Sequence, residues 1–131
     1  MQIDNVLFDD LQDKAKISPR LRMHYDLRPT ADDQSQRILN ALEPGTDLPI
    51  HRHNTSSETI FLLRGRLDEI FYDDNGNETQ RIHLNPSAGV YGCNIPIGQW
   101  HSIEVFEPSV IIEMKDGRYD PKASEFFTPQ E

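Results

Sequence analysis

The sequence predicts an all-β sandwich or barrel with one short helix at its front. Three observations lead there. Eight short runs of strand-forming residues follow one another at similar intervals, only the leading segment has helical periodicity, and 131 residues suit a single core.

The helix comes first. Ile3, Val6, Leu7, Leu11 and Ala15 recur at helical spacing behind Asp4, a capping residue, and Pro19 lies just past Lys14 and Lys16. From Leu21 the period becomes two. Leu21, Met23, Tyr25 and Leu27 alternate with Arg22, His24, Asp26 and Arg28, the pattern of a half-buried strand. A second alternating run, from Ile38 to Glu43, stops at the turn Pro44-Gly45. Runs at 59–63, 67–72, 79–84, 90–95, 101–106 and 110–114 are rich in β-branched or aromatic residues and bounded by turn formers, with a hairpin loop from Asp73 to Asn77. The expected organisation is a helix at 1–17 packed on a barrel at 18–116, then an irregular tail at 117–131 anchored by Phe126 and Phe127.

Charge narrows the function. With 22 acidic against 13 basic side chains the net charge is −9, so nucleic acid and anionic membrane surfaces are repelled by the mean field. Cys93 is the only cysteine, which excludes an intrachain disulfide and makes a cytoplasmic location the expectation. It reads as an inert small hydrophobe. The start of the chain lacks the basic and apolar pattern of a signal peptide, and the longest apolar stretch is Ile60 to Leu63.

Chemistry concentrates between Gly45 and Gly65. Gly45 is followed by five residues, then His51, Arg52 and His53, four residues, Glu58, six residues and Gly65. On one strand His51 and His53 point to the same face, where two imidazoles can reach one metal ion. Glu58 returns across a polar turn and adds an oxygen ligand. His101 follows the turn Pro96-Ile97-Gly98, opening a strand that can face the same cavity. Three imidazoles and a carboxylate suit one divalent transition metal ion (iron, manganese, zinc, nickel, cobalt or copper) better than calcium or magnesium, and leave positions open for a ligand.

These residues resemble a known family. The Gly45 to Gly65 block matches the first cupin motif in every spacing, and Pro96, Gly98 and His101 match the core of the second. That motif departs at two points: Gly89 lies seven residues before the proline rather than six, and Val105 stands where an asparagine is usual. The resemblance implies a cupin jelly roll, a double-stranded β-helix, with the metal held by His51, His53, Glu58 and His101. Segments from Ser18 to Pro121, among them Ser18-Pro19-Arg20-Leu21-Arg22, Asn40 to Thr46 and Gly98-Gln99-Trp100-His101, resemble the WbuC-type small cupin metalloproteins. That likeness implies a setting in O-antigen or other surface-polysaccharide biosynthesis and leaves the reaction open. Cupins commonly pair through edge strands, so a homodimer is implied as well.

Other polar and aromatic residues complete the candidate site. Arg22, Asn40 and Glu113 sit in strands and are candidates to face the cavity. Of these, Arg22 offers a fork for a carboxylate or phosphate. Tyr91 and Trp100 are candidates for a stacking wall against a sugar ring, with core packing the plainer alternative. His24 and His83 have no spacing partner and read as solvated. Two functions follow. The first is a metalloenzyme acting on a small molecule, an anionic or sugar-like compound such as a nucleotide-sugar, by isomerisation, epimerisation or oxygenation, with Glu113 or Tyr91 moving a proton. The second is a metal-dependent binding or sensing module without turnover.

Overall fold

A computed structural model describes residues 1–129. Helix α1 spans Asn5–Ile17 and eight strands follow: β1 (Arg22–Asp26), β2 (Ser35–Leu42), β3 (His51–His53), β4 (Glu58–Tyr72), β5 (Glu78–Leu84), β6 (Gly92–Ile95), β7 (Trp100–Asp116) and β8 (Ser124–Phe126). Among the described residues no helix is long and apolar enough to cross a membrane.

The strands curl into the expected jelly roll because β4 and β7 are long and bent. They pair antiparallel along almost their whole length, from Glu58 opposite Lys115 to Tyr72 opposite Trp100. The sequence reads each as two separate strands. The structure joins them, with register shifts between Leu62 and Leu67 where both chains turn a corner together. Gly65 makes the corner possible. Its φ is +97°, and a Cβ there would collide with the Ser109 hydroxyl and the Pro108 carbonyl. The N-terminal half of β4 and the C-terminal half of β7 join β2 and β6 on one wall, while their other halves join β5 on the second. Between the walls lies a core of Leu42, Ile60, Leu62, Leu67, Val105 and Ile111 with their neighbours.

Helix α1 covers the outer face of the β1-β2-β7 wall. Asp4 caps it, its Oδ1 accepting from Leu7 N at 3.0 Å. Its buried face is Phe8, Leu11 and Ala15, packed on Leu39, Ala41 and Val110. Ile3 and Val6, expected on that face, are exposed at 50% and 77%, because Ile3 precedes the helix and Val6 falls off the stripe that Phe8 begins. Arg64, at the β4 corner, reaches Asn5, Asp9 and Gln12 at 2.7–2.8 Å and fixes the helix laterally.

On β1, Met23 packs against the helix cluster, while Tyr25, expected to be buried beside it, is exposed. The segment expected as an irregular tail contains a strand: β8 pairs with β3, Ser124 lying opposite His53 and Phe126 opposite His51. The last two residues of that segment lie outside the described residues.

Candidate metal centre

Strand alternation brings the histidines together. β3 supplies His51 and His53 on one face, and β7 supplies His101, whose Cα is paired with that of His51. The His51 and His101 rings lie 4.2 Å apart between centroids, and His53 sits 5.1 and 5.4 Å from them. One ring nitrogen from each histidine falls within 4.8 Å of the others. Glu58 opens β4 beside them, with Oε2 at 2.9 Å from His53 Nε2 and 3.6 Å from His101 Nε2.

The outward-facing ring nitrogens are already engaged. His51 Nδ1 donates to Pro49 O at 2.9 Å, His101 Nδ1 donates to Gln99 O at 2.9 Å, and His53 Nδ1 lies 3.1 Å from Ser124 Oγ. A carbonyl accepts only, so His51 and His101 carry their proton on Nδ1 and turn a lone pair on Nε2 inward. Metal-binding histidines are oriented in this way by their outer partners. Inside the cluster, His53 Nε2 and Glu58 Oε2 are buried and make no hydrogen bond of acceptable geometry, close as they lie. Orphaned inward atoms backed by satisfied outward ones fit a divalent transition metal ion.

The electrostatics agree. Burial, then the neighbouring His101, pushes the His51 imidazole down to about 4, so it stays neutral and able to ligate at ordinary pH. For Glu58 burial acts upward, but the adjoining His101 and His53 imidazoles and Lys115, whose Nζ is 3.9 Å away, hold the carboxyl well below its usual range. It is a carboxylate, 3% exposed, pointing at the His53 and His101 imidazoles.

Beneath the cluster the barrel encloses a cavity of about 110 Å³, lined among others by His51, Glu58 and His101 at the mouth and by Asn40, Glu69 and Glu113 deeper in. Two of the predicted residues, Asn40 and Glu113, therefore face the cavity. Burial, with Glu58 adding repulsion, pushes the Glu113 carboxyl up to about 7. Glu69 escaped the sequence reading. It is 1% exposed, and burial, with Glu58 and Glu113 nearby, pushes its carboxyl well above the usual range.

Three predicted residues lie elsewhere. Arg22 turns to the 46–47 loop, donating to Asp47 O at 2.7 Å and reaching Thr46 Oγ1 at 3.5 Å, because these nearby acceptors satisfy its guanidinium outside the cavity. Tyr91 is 58% exposed just before β6 and is not among the residues that line the cavity, so the structure does not bring it to the cluster. Trp100 packs under Arg52, 4.2 Å from its ring centroid, and against Phe127, with Nε1 donating to Asp74 at 3.2 Å. Strand alternation sets it on the face opposite His101, so it lines a surface groove and not the cavity. His83 is exposed, as expected, and holds Asp68 at 2.8 Å. Burial pushes the Cys93 thiol up to about 12, in keeping with an inert side chain.

A family model described as "Domain of unknown function (DUF6016)" matches residues 3–84. The chain belongs to that family. No curated protein matches this DUF6016 chain. Solved structures similar to it include the capsular polysaccharide assembling protein CapF from Staphylococcus aureus, at 23% identity and TM-score 0.71, covering 85% of this chain and 30% of CapF. Another is KdgF from Halomonas sp., at 16% identity and TM-score 0.63, covering 81% of this chain and 88% of KdgF. A cupin-2 domain from Rhodospirillum rubrum matches at 16% identity and TM-score 0.63, covering 82% of this chain and 66% of its own. The DUF6016 chain spans only about a third of CapF. At these identities the likeness establishes the fold, a cupin jelly roll, and three histidines of that fold stand positioned for a metal.

Proposed function

We propose that this DUF6016 protein is a metal-dependent cupin that acts on a small molecule admitted to the barrel. His51, His53, Glu58 and His101 are the residues that would hold the ion. The observation that carries the reading is the convergence of three imidazole nitrogens within 4.8 Å of one another, with the buried Glu58 Oε2 beside those of His53 and His101. A divalent transition metal there supplies Lewis acidity or redox chemistry to a bound ligand. Glu113 favours turnover over simple binding, because it places a carboxyl able to hold or move a proton on the wall of the same cavity, with Asn40 donating to it. The WbuC-type resemblance and the likeness to CapF support a carbohydrate or nucleotide-sugar in surface-polysaccharide synthesis as the substrate class. Homodimer formation belongs to the same reading, supported by Phe61, Leu63 and Tyr91 standing exposed on the outside of the barrel.

Elemental analysis of gently purified protein, repeated on His51→Ala and His101→Ala, tests the reading. Near-stoichiometric transition metal in the native chain and its loss in both variants are expected. Full occupancy retained in either variant refutes the ligand assignment.

A further inference from the structure

Glu69 is a buried acid in the cavity that neither the ligand set nor the proton-handling role given to Glu113 uses. It projects from β4 on one wall, opposite Ile103 of β7, one alternation below the pair Phe71 and His101. Asn40 and Glu113 project from the other wall at the same cavity. Glu69 has no cation: Arg81, the nearest candidate by register, is taken by Asp68, Glu78 and Glu104 at 2.8–3.2 Å. The charged groups acting on Glu69 are Glu58 and Glu113, both acids. A carboxyl buried for the sake of the fold finds donors, and one buried without them costs stability. Yet Glu69 Oε1 is buried and unpartnered, and so is Asn40 Oδ1 across the barrel.

Of the six such side-chain atoms among the described residues, four belong to this site: those of Asn40, His53, Glu58 and Glu69. Two face each other at the mouth and two lie a layer below. The lower pair must be met by a group that donates to Asn40 Oδ1 and suits Glu69 whether its carboxyl donates or accepts. A hydroxyl does both. A carboxylate would face three acids, and an ammonium would share about 110 Å³ with a divalent ion. The volume is well below the roughly 300 Å³ at which drug-sized ligand sites begin, so only a fragment of a few non-hydrogen atoms enters this layer.

We propose that Glu69 and Asn40 form a hydroxyl-reading layer beneath the histidine cluster, so that the site selects a small hydroxylated compound, or the hydroxylated end of a sugar, over its deoxy counterpart. This rests on the metal reading above. Zinc-loaded full-length protein is titrated calorimetrically with 3-hydroxypropanoate, propanoate and 3-aminopropanoate. In the native protein the hydroxy acid is expected to bind about tenfold more tightly than propanoate, the value of one satisfied buried hydrogen bond. Glu69→Gln, which keeps shape and polarity, is expected to retain part of that ratio, and Glu69→Leu to reduce it to within twofold, with zinc affinity unchanged in both. Zinc binding with no preference for the hydroxy acid, a preference for the amino acid, or a ratio surviving in Glu69→Leu overturns the assignment of Glu69 alone. Failure of the native chain to take up zinc or any other transition metal overturns the reading of the mouth instead.

Discussion

Ser124→Ala isolates a single outer contact of the proposed metal centre. Two of the three histidines are oriented by backbone carbonyls, Pro49 O and Gln99 O, which no side-chain substitution removes. Only His53 leans on a side chain, Ser124 Oγ at 3.1 Å. The backbone around Ser124 is held independently, by Asn54 N donating to Ala123 O at 2.8 Å and Phe127 N donating to Ile50 O at 2.9 Å, so β8 stays in place when the hydroxyl goes. Losing an outer partner of a ligating histidine costs about 10–100-fold in metal affinity, or about 1–3 kcal/mol. Competition for zinc against a chromophoric chelator at constant pH reads this directly. Ser124→Ala should fall in that range, Ser124→Thr should stay within a few-fold of the native protein, and thermal stability of the metal-free forms should be equal. Affinity within twofold of native in Ser124→Ala would show that His53 is not a ligand or that Ser124 does not orient it.

Two further outcomes bear on the fold and its titration. In metal-free protein Glu113→Gln should relieve a pH-dependent cost. A carboxyl raised to about 7 in the fold from about 4.5 unfolded contributes stability below pH 4.5 that is lost as pH rises through 7, so urea denaturation should show the variant gaining roughly 3 kcal/mol on native between pH 4 and pH 8. An equal offset at both pH values would contradict it. Gly65→Ala forces a Cβ into the β4–β7 corner at φ +97°, and should lower stability by at least about 2 kcal/mol in the same assay; a neutral effect would mean the corner opens freely.

The candidate metal centre was legible because three of its four proposed ligands lie close in sequence and their spacing maps directly onto strand geometry. His51 and His53 share a face by alternation, and Glu58 needs only one turn to return. An all-β sandwich or barrel was legible from the rhythm of short strands, and the jelly roll from the cupin resemblance, although the corners of β4 and β7 read as breaks: Arg64-Gly65-Arg66 and Glu107-Pro108 look like turns, and only the paired bend shows them to be one continuous ladder. Arg22 and Trp100 failed as cavity residues for a common reason. Residue type says what a side chain can bind, while its direction depends on partners distant in sequence, such as Asp47, Arg52 and Phe127. Glu69 was hidden because Leu67, Asp68, Glu69, Ile70 and Phe71 are all buried, so the strand shows no alternation from which an inner face can be read.

The register shifts in β4 also act as a phase change. Before the corner the cavity side of β4 is carried by even positions, Glu58 and Ile60; after it, by odd ones, Leu67, Glu69 and Phe71. One residue removed between positions 62 and 67, with the bend keeping its shape, would turn the other face of the strand inward and bring Asp68, the acid now bound to Arg81 and His83, and Ile70 into the cavity in place of Leu67 and Glu69, while Glu58 and the histidines kept their places. The lower layer of the site can thus be rewritten by a single codon gained or lost at the bend, independently of the layer above. Within this family, length variation at that corner should accordingly track changes in ligand choice, with the metal-binding residues left intact.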